Sequence, residues 1–345
     1  MKGSILFLQS EIHNYHISLI SELVGNDGFS VISVYKDKNK RTPFEPPIIK
    51  NVTFIGKSKI NSVDEIINYI KDRDIKLVRV SGWMDKDYLT VSKILKKKNI
   101  KTVVCSDTQW KNELKQTIGT LIYNYKIRNA FTHIMVAGPY QFEYARRLRF
   151  KKNQILFGNL SANSFIYNCD IKKINNKIEK NILFVGLLDN NKIGLLLDVW
   201  SDLNDKMGWK LRLVGNGPLK DELSNYQDIE CLGYKSNTEI SKLMHESGFM
   251  ILPSLREQWG VVMHEASLSG LPILCSDSVG AIPVFMINRF NGLIFKTGDK
   301  EDLKLKMLEM MSFSDEKLYE MKINSALLGN RITTPISAAT LISVL

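Results

Sequence analysis

Cysteine is scarce in this chain, with four residues in 345 (Cys105, Cys169, Cys231 and Cys275) and no CxxC pair among them. Such wide spacing excludes a disulfide framework and a cysteine metal site, so buried free thiols in a reducing compartment are expected. Long apolar runs are missing too. No stretch reaches the ~18 residues that a membrane span needs. Ile5 to Leu8 is too short for a secretory leader and runs into polar QSEIHNYH. HExxH is absent, and the two histidines of HNYH, His13 and His16, have no third ligand nearby in sequence. Lining a cleft or capping a helix is therefore expected of them, and no metal site.

What is present is ordinary for a globular chain long enough for two domains: 44% hydrophobic and 24% charged residues. The charge is distributed unevenly. Residues 1–165 hold 27 Lys and Arg against 14 Asp and Glu, net +13, while residues 166–345 hold 20 against 22, net −2. A basic first half suits an acidic partner, nucleic acid or an anionic membrane surface, and equally suits a lysine-rich solvated face.

Short β-branched runs alternate with helix-length amphipathic segments along the whole chain. SILFL, a helix over His13 to Val24 and SVISVY open a βαβ unit. A proline-rich loop, RTPFEPPIIK at 41–50, interrupts the pattern before it resumes. In the DKD triplet Asp87 is expected to cap the helix that follows. Residues 112–129 mix Leu114, Ile118, Leu121, Ile122 and Tyr125 with Lys115, Lys126 and Arg128, a pattern open to a membrane-interface helix or to a core helix with a basic rim. Polar IYNCDIKKINNKIEK at 166–180 reads as a linker. NILFVG restarts the alternation, with a helix expected over Leu219 to Tyr226. The organisation that follows is an α/β chain of two doubly wound domains, 1–165 and 181–345, the last helix free to cross back to the first.

The most informative stretch is FMILPSLREQWGVVMHEASLSGLPILCSD at 249–277. It reads as strand, polar loop, helix and strand, with Glu257 in the loop and Glu265 eight residues on. Eight residues rise about 12 Å along a helix axis, roughly the span from sugar to ribose in a nucleotide sugar. Free N–H groups at the helix start, with the positive dipole end, suit a diphosphate.

The second domain resembles the retaining glycosyltransferases of the GT-B fold, family 4, through ILFVG, a lysine at 192, LVGNGP, LGY, the stretch above and NGLIF followed by GD. The first domain is similar more loosely, in ILFLQS, VSGW, SDT and the strand and helix at 132–148. The resemblance implies two Rossmann-like domains facing a central cleft. It implies that Glu257 holds donor-sugar hydroxyls and Glu265 the ribose hydroxyls. Gln258, Trp259, Gly260 and Val261 would present backbone N–H groups, Gly186 and Gly215 would line the donor site, and Lys192 would neutralise the departing diphosphate. Asp107 lies where relatives carry a group near the reacting sugar, with a helix cap as its other role, and His13, His16 and Trp110 are acceptor-side candidates. No metal or cofactor is implied beyond the nucleotide sugar, expected to be a UDP-sugar.

Two departures stand out: Leu187 where many members carry a second phosphate-binding arginine, and Gln258 where a glycine is usual. Arg256 is a candidate to compensate for Leu187. The implied function is transfer of a sugar with retention to a glycan or polyprenyl-diphosphate-linked acceptor in cell-surface polysaccharide synthesis. That places a bacterial protein in the cytoplasm, peripheral on the inner membrane face, with no nucleic acid partner. A catalytically silent subunit that supports a partner transferase, and a nucleotide-sugar epimerase of the same architecture, are the alternatives.

Overall fold

The computed structural model describes residues 2–37, 45–173, 177–221, 223, 226 and 228–345. It divides into two compact units, Met1–Ser161 with Thr334–Leu345, and Ala162–Thr333. Residues 41–44 of the proline-rich loop, 174–176 of the expected linker, and 222, 224, 225 and 227 in and after the expected helix at 219–226 lie outside the described residues.

The first unit runs β1 (Ser4–Gln9), α1 (Asn14–Gly25), β2 (Ser30–Tyr35), β3 (Val52–Gly56), α2 (Val63–Ile70) and β4 (Ile75–Val80). It continues α3 (Lys86–Lys97), β5 (Lys101–Ser106), α4 (Leu114–Ala130), β6 (His133–Val136), α5 (Pro139–Arg147) and β7 (Ile155–Phe157). The seven strands form one parallel sheet in the order β3-β2-β1-β4-β5-β6-β7. Its strands are buried on both faces, which is why they read as continuous apolar runs. One face packs Leu6, Leu8, Val78, Val80 and Val104 under α2 to α5. The other packs Ile5, Phe7, Leu77 and Val103 under α1 and a final helix (Thr334–Ile342), numbered α13 in chain order.

The second unit holds α6 (Ser164–Tyr167), β8 (Asn181–Val185), α7 (Leu195–Ser201), β9 (Lys210–Val214), β10 (Ile229–Gly233), α8 (Asn237–His245) and β11 (Phe249–Leu252). After these come α9 (Val261–Leu268), β12 (Ile273–Ser276), α10 (Ile282–Phe285), β13 (Gly292–Phe295), α11 (Lys300–Ser312) and α12 (Asp315–Gly329). Its parallel sheet is ordered β10-β9-β8-β11-β12-β13, around a core that includes Trp200, Phe184, Phe249 and Phe295. Both units are doubly wound. In each, strand order reverses beside the first strand, between β1 and β4 and between β8 and β11, and there the connections leave a crevice beyond the strand ends.

Three expectations change. Asp85, not Asp87, caps α3, accepting the main-chain N–H groups of Asp87 (3.0 Å) and Tyr88 (3.2 Å). Lys57 spans both carboxylates, 2.7 Å from Asp85 and 2.9 Å from Asp87, which fixes the triplet as a cap and clamp. Cys105 and Cys275 are buried, but Cys231 is exposed because β10 is the sheet's edge. The seven residues between Glu257 and Glu265 are not all helical, since α9 begins at Val261, so the helical rise does not set their separation.

Candidate donor site and a second polar cavity

In the second unit the chain leaves β8 through Gly186 to Asp189 and enters one π-helical turn, Asn190–Gly194. Asp189 caps that turn by accepting the Lys192 N–H (2.9 Å). The cap aims Lys192 across the switch point to the loop after β11. There its ammonium pairs with the Glu257 carboxylate and donates to Ser254 Oγ (3.3 Å). Both charged side chains are about four-fifths buried (23% and 21% exposed), so the pair is only partly screened by water.

The Glu257 loop is pinned on its other side. The Gly280 N–H donates to the Glu257 carbonyl (3.1 Å), and the Ala281 N–H to that of Trp259 (3.0 Å). Gly260 then starts α9 with φ +91°, a conformation that L side chains rarely adopt. A Cβ at Gly260 would lie 3.2 Å from Glu257 Cγ, so glycine also lets the glutamate sit where it does. Trp259 is buried edge-on against Phe285, so what it offers a ligand is its main chain. Gln258 and Val261 are half-buried at the same turn. Glu265 lies one turn into α9, where burial pushes its carboxyl up to about 7, an effect the neighbouring Tyr167 hydroxyl holds back.

Gly186 and Gly215 serve the main chain. A Cβ on Gly215 (φ +138°) would fall 1.8 Å from the Gly186 carbonyl oxygen, and one on Gly217 2.3 Å from that of Leu188. Hydrogen bonds from Gly186 to Val214 and from Leu188 to Asn216 (3.0 Å each) tie the two loops together. The GNGP turn thus braces the loop that carries Lys192. Leu187, at the arginine position, is 53% exposed. Arg256 is exposed as well.

Among the first-unit candidates, the structure gathers Asp107, His13 and His16 around a cavity of about 320 Å³ at the carboxyl ends of β1, β4 and β5. Asp107 caps no helix, since the residue preceding α4 is Glu113. His13 is the N-cap of α1 and lies 3.2 Å from Glu11. Trp110 is not part of this lining. Its ring lies under the Arg147 guanidinium (4.2 Å) and beside Tyr144 (6.4 Å).

The cavity also contains a residue that the pattern did not single out. Arg79, near the end of β4, is 2% exposed. The strand, IKLVRV, carries two basic residues, exposed Lys76 at its start and Arg79 between two valines at its carboxyl end, and the apolar flanks of Arg79 are the signal that could have marked it. Among the described residues, no group of three or more His, Cys, Asp or Glu could hold a metal ion, and no helix is long and apolar enough to cross a membrane.

Residues 169–326 match the family model described as Glycosyl transferases group 1. The chain is 29% identical over 194 residues to an uncharacterized glycosyltransferase of Methanocaldococcus jannaschii, covering 51% of this chain and 54% of that protein. It is 25% identical over 276 residues to the amylovoran biosynthesis glycosyltransferase AmsD of Erwinia amylovora, 75% of each. The chain thus spans about half the length of the first relative and three quarters of the second. HepE of Anabaena, solved with UDP and glucose, superimposes with a TM-score of 0.74 at 13% identity, over 99% of both chains. The fold is GT-B, with two Rossmann-like units.

Proposed function

We propose that this chain, whose residues 169–326 match the group 1 glycosyltransferases, transfers a sugar from a nucleotide donor to a glycan or lipid-linked acceptor with retention of configuration. The observation that carries the reading is the Lys192–Glu257 pair at the switch point of the second sheet, beside the Gly260 turn that opens α9. As the bond from the anomeric carbon to the diphosphate oxygen breaks and that carbon bonds to the acceptor hydroxyl oxygen, whose proton leaves with the diphosphate, negative charge grows on the diphosphate. Lys192 is a cation placed to meet it, and because that charge is greatest in the transition state, its contribution falls on turnover. Glu257, released from Lys192, accepts hydroxyls of the sugar. Glu265 accepts the ribose hydroxyls in its ionised form, and the free N–H groups at the start of α9 take diphosphate oxygens. This chemistry uses no metal. UDP is the proposed nucleotide because HepE was solved with it.

The first unit is proposed as the acceptor-binding half. Its α4 exposes Leu114 (82%), Leu121, Ile122 and Tyr125 (75%) among Lys115, Lys126 and Arg128. That mixture suits the surface of an anionic membrane, where polysaccharide acceptors on lipid carriers are presented, and a cytoplasmic, peripheral location follows. A catalytically silent subunit is the second reading, and exposed Leu187 in place of a phosphate-binding arginine favours it. Donor hydrolysis by the purified chain separates the two. Release of nucleotide from a UDP-sugar supports the transferase, and none from any nucleotide sugar supports the silent subunit.

A further inference from the structure

The cavity of the first unit has a charge problem that its own residues leave unsolved. Arg79 faces Phe7 across the β1/β4 register, and its guanidinium lies 5.4 Å from that ring. Its Nη2 donates to Asn159 Oδ1 (3.0 Å), while Nε and Nη1 are buried without a hydrogen-bond partner. Among the described residues, no carboxylate lies within 4.0 Å of it. A buried cation held only by a neutral amide and an aromatic face is costly, and such groups are normally paired.

The other groups around the cavity supply donors. His16 accepts the His13 main-chain N–H on Nδ1 (3.2 Å), which puts its proton on Nε2. Burial, with the charges of Arg79 and His13, holds His16 well below the usual histidine range, so the ring is neutral. Burial raises the Tyr15 phenol, which keeps its proton, and Ser10 and Ser81 add hydroxyls. The twelve-residue α1 starts here with no acidic residue in its first turn. Two carboxylates also line the cavity, Glu11 and Asp107, but both belong to exposed residues, and Glu11 lies against His13. The buried end is thus donor-rich and cationic, and the carboxylates occupy the open end.

We propose that this cavity binds an oxyanion carried by the acceptor, a phosphate or a carboxylate, with the Arg79 guanidinium as its principal partner. Two N–H groups of one guanidinium match two oxygens of either anion. The carboxylates at the open end suit hydroxyls of the sugar that bears the anion. Assigning the anion to the acceptor rests on the transferase reading, whereas the anion site itself does not.

The test titrates inorganic phosphate, glucuronate and glucose onto the full chain at constant ionic strength, with UDP titrated separately. The wild type is compared with R79Q, R79K and K192A. We expect saturable binding of phosphate, glucuronate or both, at least about tenfold weaker in R79Q and intermediate in R79K, whose ammonium keeps the charge but not the two-pronged fork. Phosphate alone marks a phosphorylated acceptor, and glucuronate alone an acidic sugar. Neither anion saturating the wild type overturns the proposal, even if R79Q fails to fold. So does anion binding that survives in R79Q and is lost in K192A, or glucose binding as tightly as the anions. UDP binding that is lost in K192A and kept in R79Q supports the donor site independently. UDP failing to bind the wild type sinks the donor reading and leaves the anion result standing.

Discussion

Each unit places a cation at the switch point of its sheet, and the two cations are treated in opposite ways. Lys192, itself mostly buried, is partnered by Glu257 and Ser254, so its charge is balanced at rest. Arg79 is almost wholly buried, with two of its nitrogens unpartnered. On the roles proposed for them, one topology provides two different binding strategies. A balanced pair must be opened by its ligand, so the ligand's charge is felt chiefly as the reaction proceeds. An uncompensated cation is set in place before the ligand arrives and contributes to binding from the start.

The largest effect is expected from removing the pair. Lys192→Ala and Glu257→Ala should each lower transfer turnover by about 10²- to 10³-fold with a smaller effect on acceptor KM, read from steady-state kinetics. Rates near wild type in either variant would remove the pair from the chemistry. Next in size is the brace beneath it. Gly215→Ala must push a Cβ into the Gly186 carbonyl, and we expect a loss of about 3 kcal/mol in denaturant unfolding. An unchanged midpoint would mean that the two loops are not locked.

Arg79→Met tests the other side of the comparison. Removing an uncompensated buried cation should leave thermal stability unchanged or raise it by about 1 kcal/mol. A clear drop in Tm would make Arg79 a structural residue. Leu187→Arg adds a cation beside the Lys192 loop, and an increase of about tenfold in turnover is expected if phosphate neutralisation limits the rate.

The smallest effect concerns pH. Burial raises Glu265 to about 7 from an ordinary 4.5, so between those values the folded chain holds a proton that the unfolded chain releases, and stability falls as pH rises. Burial lowers the fully enclosed His264 to about 4 from 6.5, which makes stability rise with pH across that lower window. The two slopes oppose each other from pH 4.5 to 6.5. Glu265→Gln should expose the histidine's slope, with a gain on the order of 1 kcal/mol between pH 5 and 6.5 in urea denaturation. A flat profile in that variant would contradict the assignment.

The sheet architecture was readable from the sequence because parallel strands buried on both faces leave continuous apolar runs, as in FMIL and NILFV. The loop and helix around Glu257 were readable because Gly260 and the flanking strands punctuate them. The Lys192–Glu257 contact was not, since the partners are 65 residues apart and only the fold joins them. Asp85, not Asp87, is the cap because α3 begins at Lys86, earlier than the sequence pattern suggests, and Lys57, far upstream in sequence, helps fix the arrangement. Arg79 escaped notice for a different reason. β4 carries two basic residues, Lys76 and Arg79, and that the second is buried without a carboxylate partner becomes visible only in three dimensions.

The most direct test of the account is calorimetric titration of a panel of nucleotide sugars onto the wild-type chain and Lys192→Ala, with nucleotide release followed in parallel. One nucleotide sugar should bind the wild type at one site and be slowly hydrolysed, with release reduced at least about a hundredfold in the variant. Binding and release that are the same in both proteins would contradict it.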